Sequence, residues 1–489
     1  MNPKLLQDLL MIAPLTALFL ISLIPITIKV INSNREPNAF FTLVYGFIGL
    51  AFAIGLTASI DGTKKAAFSN AIVIDGISVW GSYLVYGITA VSLMLAFDNF
   101  ATRGKQFAEF LFLMISSACG MIVLLMSNDL IVTFIGIETM SLCLYILVAM
   151  SKEEVLSKEA AFKYFVIGSF ASAILLYGIA FIYGSVGSTY FPDIAAAAPK
   201  LIGTNRLFLV GFAMLILGLG FKVAMFPLHA WAPDVYEGAP TPVTAFMSTA
   251  VKVATFAAFL RLFNSEALAS APRIFEMMQW LAVLTIIVGN VAAVMQDNIK
   301  RMLAYSSIAH SGYILIGLLA AGFGGNFKWG AAGVMFYLFS YSLMTLGSFA
   351  LISLIEDKEN TRVSMQNLKG LAHHHPLLAL CLSVLMLSLA GIPPTLGFFG
   401  KFYIFSAAIE QDMYWLVFWG VIGSVISVYF YLRPIVYMYM SEAGEDTCIK
   451  VTHYQTRIAL VASAVLVVVL GLCSSSILAA VQRSVDNMF

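Results

Sequence analysis

The chain has 489 residues, 60 % of them apolar and 11 % charged, with a mean hydropathy of +0.91. Soluble globular proteins are far less apolar, so this composition implies an integral membrane protein with many spans. A net charge of +1 and the lack of any basic run exclude an electrostatic nucleic-acid surface.

At about 20 residues per crossing, fourteen apolar segments follow one another. Their approximate limits are 9–30, 40–59, 74–97, 107–126, 129–150, 160–184, 206–227, 242–263, 278–296, 301–321, 329–355, 377–405, 413–440 and 457–481. The expected fold is all-α: a polytopic protein of about 14 transmembrane helices, with 1–489 forming a single membrane domain. The first apolar run, Leu9 to Val30, is followed by no small-residue cleavage site and is expected to be a span, not a removed signal. Connections such as ATRGKQ, SKEEVLSKE and EDKENTRVSMQNLK are short and polar, and none holds a soluble domain.

Loop cations set the orientation. One side carries Lys29, Arg35, Arg103, Lys105, Lys152, Lys158, Lys300, Arg301, Lys358, Arg362, Lys369, Arg433, Lys450 and Arg457. The other carries Lys4, Lys64, Lys65, Lys200, Arg206, Arg261, Arg273, Lys328 and Arg483. Fourteen against nine favours both termini outside. The cysteines (Cys119, Cys143, Cys381, Cys448, Cys473) are scattered without a C-x-x-C pair, so no iron–sulfur or zinc site is expected. With no G-x-G-x-x-G after a strand and no Walker loop, neither redox chemistry nor ATP hydrolysis is expected in this chain.

Five charged residues sit where a bilayer penalises them. Lys163 lies in EAAFKYFVIGSFASAILLYG, Lys222 in MLILGLGFKVAMFP, Lys252 in VTAFMSTAVKVATFAAFL and Lys401 in PTLGFFGKFYIFSAAI. Glu138 lies in DLIVTFIGIETMSLCLYIL. At roughly 2.5–3.5 kcal/mol per charge at mid-depth, the five cost on the order of 10 kcal/mol. They must therefore pair, neutralise or line water, and such groups mark ion or proton paths.

Pro227, five residues after Lys222, removes a backbone hydrogen bond and frees carbonyls that protein or water must satisfy. Lys222, Pro227 and His229 thus bring a cation, a broken helix and an imidazole together within eight residues. A lysine out of water releases its proton more readily than one in water; the plainer alternative is a fixed structural cation. Lys252 has small neighbours (Ser248, Thr249, Ala250, Ala254) that admit water or close packing. Lys401 follows GIPPTLGFFG, and in a short helix its side chain would instead snorkel. Lys163, four residues after Glu159, lies near the membrane boundary, where snorkelling competes with function.

Glu138 is the one acid deep in an apolar span, and a lysine partner would keep it ionised. A pair whose separation changes switches the lysine's hold on its proton; a static ion pair is the alternative. His229 in LHAWAPD and His310 in SSIAHSGY are relay candidates, in competition with buried neutral histidines bonded to backbone carbonyls. The run His373 to His375 precedes Pro376 and is expected to be a solvated loop.

A weak internal repeat accompanies these groups. KYFVIGSFASAILLYGIAFI and FYLFSYSLMTLGSFALI align with Tyr164 on Tyr337, an offset of 173 residues. Each half also has a proline-interrupted segment near a lysine: Pro227 after Lys222, and Pro393 and Pro394 before Lys401. Two five-helix repeats are expected, 107–263 and 278–440, and an odd number of spans inverts the second copy.

Three blocks, FKVAMFPLHAWAPDVYEGAPTPV, IKRMLAYSSIAHSGY and LSLAGIPPTLGFFGKFYIF, resemble the subunit N family of the bacterial proton-pumping NADH:quinone oxidoreductase, respiratory complex I. That family is part of a wider set of antiporter-like membrane subunits that includes subunits L and M and multi-subunit cation/proton antiporters. The wording VYEGAPTPV is similar to subunit N, the lysine at 401 argues against subunit M, and the absence of a long lateral helix argues against subunit L. The resemblance covers nearly the whole chain. It implies a proton-translocating role without a redox centre of its own; NADH, FMN, iron–sulfur clusters and quinone would be handled elsewhere in the complex. It makes Glu138 and Lys222 an ion pair, Lys252 the central lysine and Lys401 the terminal site nearer the exit, with Lys163, His229 and His310 on blocks that carry functional residues in relatives. It also implies neighbouring antiporter-like subunits as partners and the bacterial inner membrane as the location.

The competing readings are a subunit of a multi-subunit cation/proton antiporter, which would use the same residues, and a subunit that only packs against partners. Four interior lysines and two broken helices are hard to reconcile with the second. A solute permease would need a polar substrate cluster beyond these groups.

Overall fold

In lipid every backbone polar group must find a partner within the chain, and long apolar segments achieve this as helices. The computed structural model describes residues 3–32, 36–60, 64–101, 106–151, 154–263, 272–323, 327–356, 363–442 and 454–487. The N-terminal part holds α1 (Pro3–Met11), α2 (Ala13–Ile31), α3 (Ala39–Ile60), strands β1 (Lys65–Ala67) and β2 (Ile72–Ile74), and α4 (Gly76–Ala101). Next come α5 (Phe107–Met126), α6 (Leu130–Val148), α7 (Val155–Val186), α8 (Phe191–Leu201), α9 (Arg206–Lys222), α10 (Trp231–Gly238) and α11 (Thr241–Phe263). They are followed by α12 (Pro272–Val294), α13 (Ile299–Phe323), α14 (Phe327–Ile355), α15 (Leu371–His374), α16 (Pro376–Ala390), α17 (Leu396–Glu410) and α18 (Tyr414–Met440). The last two are α19 (Tyr454–Leu472) and α20 (Ser474–Asp486).

Twelve of these helices, α2 to α7, α11 to α14, α18 and α19, are long and apolar enough to cross a membrane. The chain is a multi-pass, essentially all-α protein. Two of the fourteen expected segments are not continuous: 206–227 is split into α9 and α10, and 377–405 into α16 and α17. The prolines cause both breaks, which contain cis peptide bonds at Phe226–Pro227 and Pro393–Pro394. Segment 457–481 also divides, at Cys473, where the polar run Ser474 to Ser476 interrupts the apolar one. Two further features differ from expectation. The loop containing Lys65 forms an antiparallel hairpin pairing Lys65 with Ile74, and α8 is an 11-residue helix too short to span.

The centre of the molecule is formed by helices that are apolar on every side, as fully buried helices must be. All 23 residues of α11 are buried, and α13 and α14 are nearly so. Small residues bring helix backbones together around them. A Cβ at Gly120 of α5 would lie 2.5 Å from Met140 N of α6, and one at Gly289 of α12 would lie 2.5 Å from Ala309 N of α13. The starts of α6 and α13 are tied down by the same pattern of main-chain bonds. Leu130 N donates to Thr189 O at 2.9 Å and Phe191 N to Asn128 O at 3.1 Å; Ile299 N donates to Val363 O at 3.0 Å and Met365 N to Asp297 O at 2.9 Å.

Two cations assigned above to loops are not solvated. Arg261 makes a two-pronged, buried ion pair with Asp75 at 2.7 and 2.8 Å and also donates to Leu125 O. Lys300 is buried against Glu356 at 2.8 Å. Both lie at helix ends, where composition alone does not distinguish a loop from a capped interior. Arg35, Arg103, Lys105, Lys152, Lys358, Arg362, Lys450 and Cys448 lie outside the described residues.

Candidate functional site

The lysines at 222, 252 and 401 converge on the buried core. Their exposures are 3 %, 1 % and 5 %, which excludes snorkelling for all three. Lys222 is the last residue of α9, where the negative end of the helix dipole favours a cation. Its Nζ donates to Ser141 Oγ of α6 at 2.8 Å and lies 6.0 Å from the ring of Tyr145. Glu138, one turn before Ser141, is half-buried and accepts a hydrogen bond from Ser172 of α7. Among the described residues no ion pair joins Glu138 and Lys222; the two share a site while each has a serine as its own partner.

The break after Lys222 is closed by side chains from other helices. Trp231 Nε1 donates to Phe221 O at 3.1 Å, Ser311 Oγ donates to Val223 O at 2.6 Å, and Phe226 N donates to Thr285 Oγ1 at 3.0 Å. This is how freed backbone groups are tolerated at membrane depth. It also leads from the break to the next lysine, because Ser311 bonds Ser307 O at 3.2 Å and Lys252 Nζ donates to that same carbonyl.

From Ser307 the contacts continue along α13. Tyr341 of α14 donates to Ser307 Oγ at 2.8 Å, with its ring 5.0 Å from Lys252 Nζ. One turn on, His310 has Nδ1 2.6 Å from Tyr337 Oη and Nε2 2.9 Å from Tyr431 Oη, which also bonds Ser306 Oγ. Lys401 donates to Ala390 O at 2.9 Å, a carbonyl left free by the second break, and lies 5.0 Å from the ring of Tyr313. Asn290 Nδ2 donates to Tyr313 Oη at 3.0 Å. Ser306, Ser307, His310, Ser311 and Tyr313 thus place α13 between all three lysines.

Two expected members stand apart. His229 stacks on Phe226 at 5.5 Å, and its buried Nδ1 has no hydrogen-bond partner among the described residues. Lys163 is 40 % exposed and pairs with Glu159 and Asp234, each at 2.8 Å. Asp234 also meets Arg301 at 2.7 Å, and Arg301 meets Glu237 at 2.9 Å, making a charged rim around α10. The structure therefore brings the buried Lys222, Lys252, His310 and Lys401 together with the half-buried Glu138 and leaves His229 and Lys163 at the edge of that set.

Sequence reasoning missed the uncharged members: Ser141, Ser172, Ser307, Ser311, Tyr337, Tyr341 and Tyr431. Tyr337 was noted only as half of the repeat alignment. The available signal was the density of serine and tyrosine in α13 and α14, but single hydroxyls in apolar helices commonly bond their own preceding turn. Among the described residues no three His, Cys, Asp or Glu side chains converge as metal ligands.

The family described as "NADH:quinone oxidoreductase/Mrp antiporter, TM" matches residues 127–427. The chain is 50 % identical over 479 residues to the NADH-quinone oxidoreductase subunit N of Bdellovibrio bacteriovorus, covering 98 % of both proteins. Among solved structures it is similar to a chain of respiratory complex I from Thermus thermophilus, with a TM-score of 0.81, 33 % identity and coverage of 96 % of this chain and 99 % of that one. A chain of the Mrp complex from Dietzia sp. has a TM-score of 0.80 at 21 % identity over 97 % of each, a likeness of fold alone.

Proposed function

The chain belongs to the subunit N family of NADH-quinone oxidoreductases, and from that premise we propose that it carries protons across the bacterial cytoplasmic membrane, driven by quinone reduction elsewhere in the complex. The observation that carries this reading is the company of the three buried lysines. Among the described residues each has only neutral oxygens as hydrogen-bond partners, and these are Ser141 Oγ, Ser307 O and Ala390 O. A lysine fixed by a carboxylate is held charged, whereas one held by neutral oxygens can exist in either protonation state.

In this reading Glu138 and Lys222 form the modulated pair, Lys252 is the central carrier, His310 with Tyr337, Tyr341 and Tyr431 relays along α13, and Lys401 is the terminal carrier. His229, stacked on Phe226 at the first break, is a relay candidate whose buried Nδ1 has no hydrogen-bond partner among the described residues. Lys163 acts from the rim, where Asp234 and Glu159 hold it. The reading assigns NADH, FMN, iron–sulfur clusters and quinone to other subunits and neighbouring antiporter-like subunits to its flanks. A cation/proton antiporter remains the alternative at the level of fold alone.

The same reading includes fourteen crossings, with α9 plus α10 and α16 plus α17 each serving as one discontinuous helix. It also includes two inverted repeats, 107–263 and 278–440, and both termini on the outer side. The matching main-chain bonds at the starts of α6 and α13, and the matching glycine contacts between α5 and α6 and between α12 and α13, support the repeats.

Arginine and methionine at position 222 test the function. Arginine keeps the charge but does not release its proton; methionine keeps the length and removes the charge. In vesicles containing the intact complex, Lys222→Arg is expected to assemble and fail to translocate, and Lys222→Met to fail likewise. Normal translocation by Lys222→Arg would remove Lys222 from the path.

A further inference from the structure

We propose that Ser141 and Ser172 are positioning residues that hold Lys222 and Glu138 apart, so that the pair has a separated arrangement as well as a joined one. This rests on the reading that Lys222 carries protons. Ser141 Oγ donates its own proton to Ile137 O at 2.6 Å, so toward Lys222 it acts only as an acceptor. Ser172 does the reverse and gives its proton to Glu138 Oε1. One hydroxyl is set to take a hydrogen bond from an ammonium and the other to give one to a carboxylate.

Glu138 and Ser141 are three residues apart on α6 and so share a helix face. In this proposal the flexible four-carbon stem of Lys222 swings along that face to exchange Ser141 for Glu138. Out of water the attraction between opposite charges is much stronger than in water, so a facing lysine and glutamate without competing partners close on each other. The two serines supply the competition. Packing encloses both: Ser141 and Ser172 are buried, and the Tyr145 side chain of α6 fills the space over Gly168 of α7, where an added Cβ would lie 2.1 Å from its Oη. In the separated arrangement Lys222 is free to release its proton; in the joined one Glu138 holds it protonated.

The test uses the assembled complex with Ser141→Ala, Ser172→Ala and the double variant, each compared with Ser141→Thr and Ser172→Thr. Losing a hydrogen bond to a charged group shifts an equilibrium on the order of tenfold, so each alanine variant is expected to lower proton translocation about tenfold. Threonine keeps the hydroxyl and is expected to restore it, which a purely space-filling role would not produce. A structure of the double variant is expected to show Lys222 Nζ directly paired with the Glu138 carboxylate. If an alanine variant fails to assemble, cysteine, close to serine in size but a weak hydrogen-bonding group, carries the same expectation. Wild-type translocation by the assembled double variant, or a Lys222 ammonium still held off Glu138 in its structure, overturns the proposal. Lys222→Arg in the same vesicles separates the two readings. If it fails while the double alanine variant translocates normally, the serine role alone falls; if it translocates normally, the proton role of Lys222 falls and this proposal with it.

Discussion

Lys300, Arg301 and Lys163 near α10, and Arg261 in the last turn of α11, each face a carboxylate at 2.7 to 2.9 Å. Lys222, Lys252 and Lys401, in the interior, have serine or main-chain oxygens instead. Both groups contain well-buried cations, since Lys300 and Arg261 are buried as Lys222, Lys252 and Lys401 are. Burial therefore does not separate the ion-paired cations from the proposed carriers in this protein. The partner does: a carboxylate fixes the charge, and a neutral oxygen leaves the proton negotiable.

The sharpest way to break this comparison is Lys252→Met. Removing the amine is expected to reduce translocation by roughly 10³-fold, the scale of a lost proton-transfer group. Stability should hold or rise, because exchanging a buried charge for an apolar side chain is neutral or stabilising when no buried partner is stranded. Proton uptake by vesicles and the melting temperature of the purified complex measure the two halves. Loss of assembly would place Lys252 with the structural cations.

Asp75→Asn probes the other class. It strands the Arg261 guanidinium without its counter-charge and is expected to cost about 3 kcal/mol of stability, seen as a lower melting temperature. Translocation per surviving complex should stay close to normal, and a selective loss of pumping would show that a fixed pair also takes part. Ser311→Ala has a smaller effect, about 1–2 kcal/mol, because it leaves the Val223 carbonyl of the first break unsatisfied. If translocation falls further than stability does, the contact between the break and Lys252 matters for transfer as well as for closure.

The smallest effect is expected at Lys163→Ala, about 0–1 kcal/mol, because its ion pairs are partly exposed. Added salt should weaken that contribution, while leaving the buried lysines largely unaffected. A stability loss as large as that of Asp75→Asn would contradict the division between rim and interior.

Much of this was legible in the sequence, for a physical reason. A charged group in an apolar run is conspicuous because the bilayer penalises it, so Glu138, Lys222, Lys252 and Lys401 stood out without any structure. The helix breaks were equally visible, because proline cannot continue the hydrogen-bond ladder. Arg261 and Lys300 were misread because their carboxylate partners lie 186 and 56 residues away, which local composition does not reveal. Ser141 and Ser172 were invisible for the same reason: a serine in a membrane helix is ordinary until its cross-helix partner is known. For His229, nearness in sequence to Lys222 and Pro227 suggests nearness in space, but the turn after the break directs its ring onto Phe226.

Lys252 and Lys401 share one further property: the atoms that receive their hydrogen bonds, Ser307 O and Ala390 O, belong to the main chain. No codon change deletes a carbonyl. A mutational scan through positions 307 and 390 would alter side chains while leaving both acceptors standing, and these lysines would look like solitary functional residues. Selection cannot remove such a partner by point substitution except by reshaping the helix that presents it, as proline or an insertion would. Their local chemistry is therefore inherited through the course of the backbone, and only backbone chemistry such as an amide-to-ester exchange at the 307–308 or 390–391 linkage would weaken the acceptors themselves.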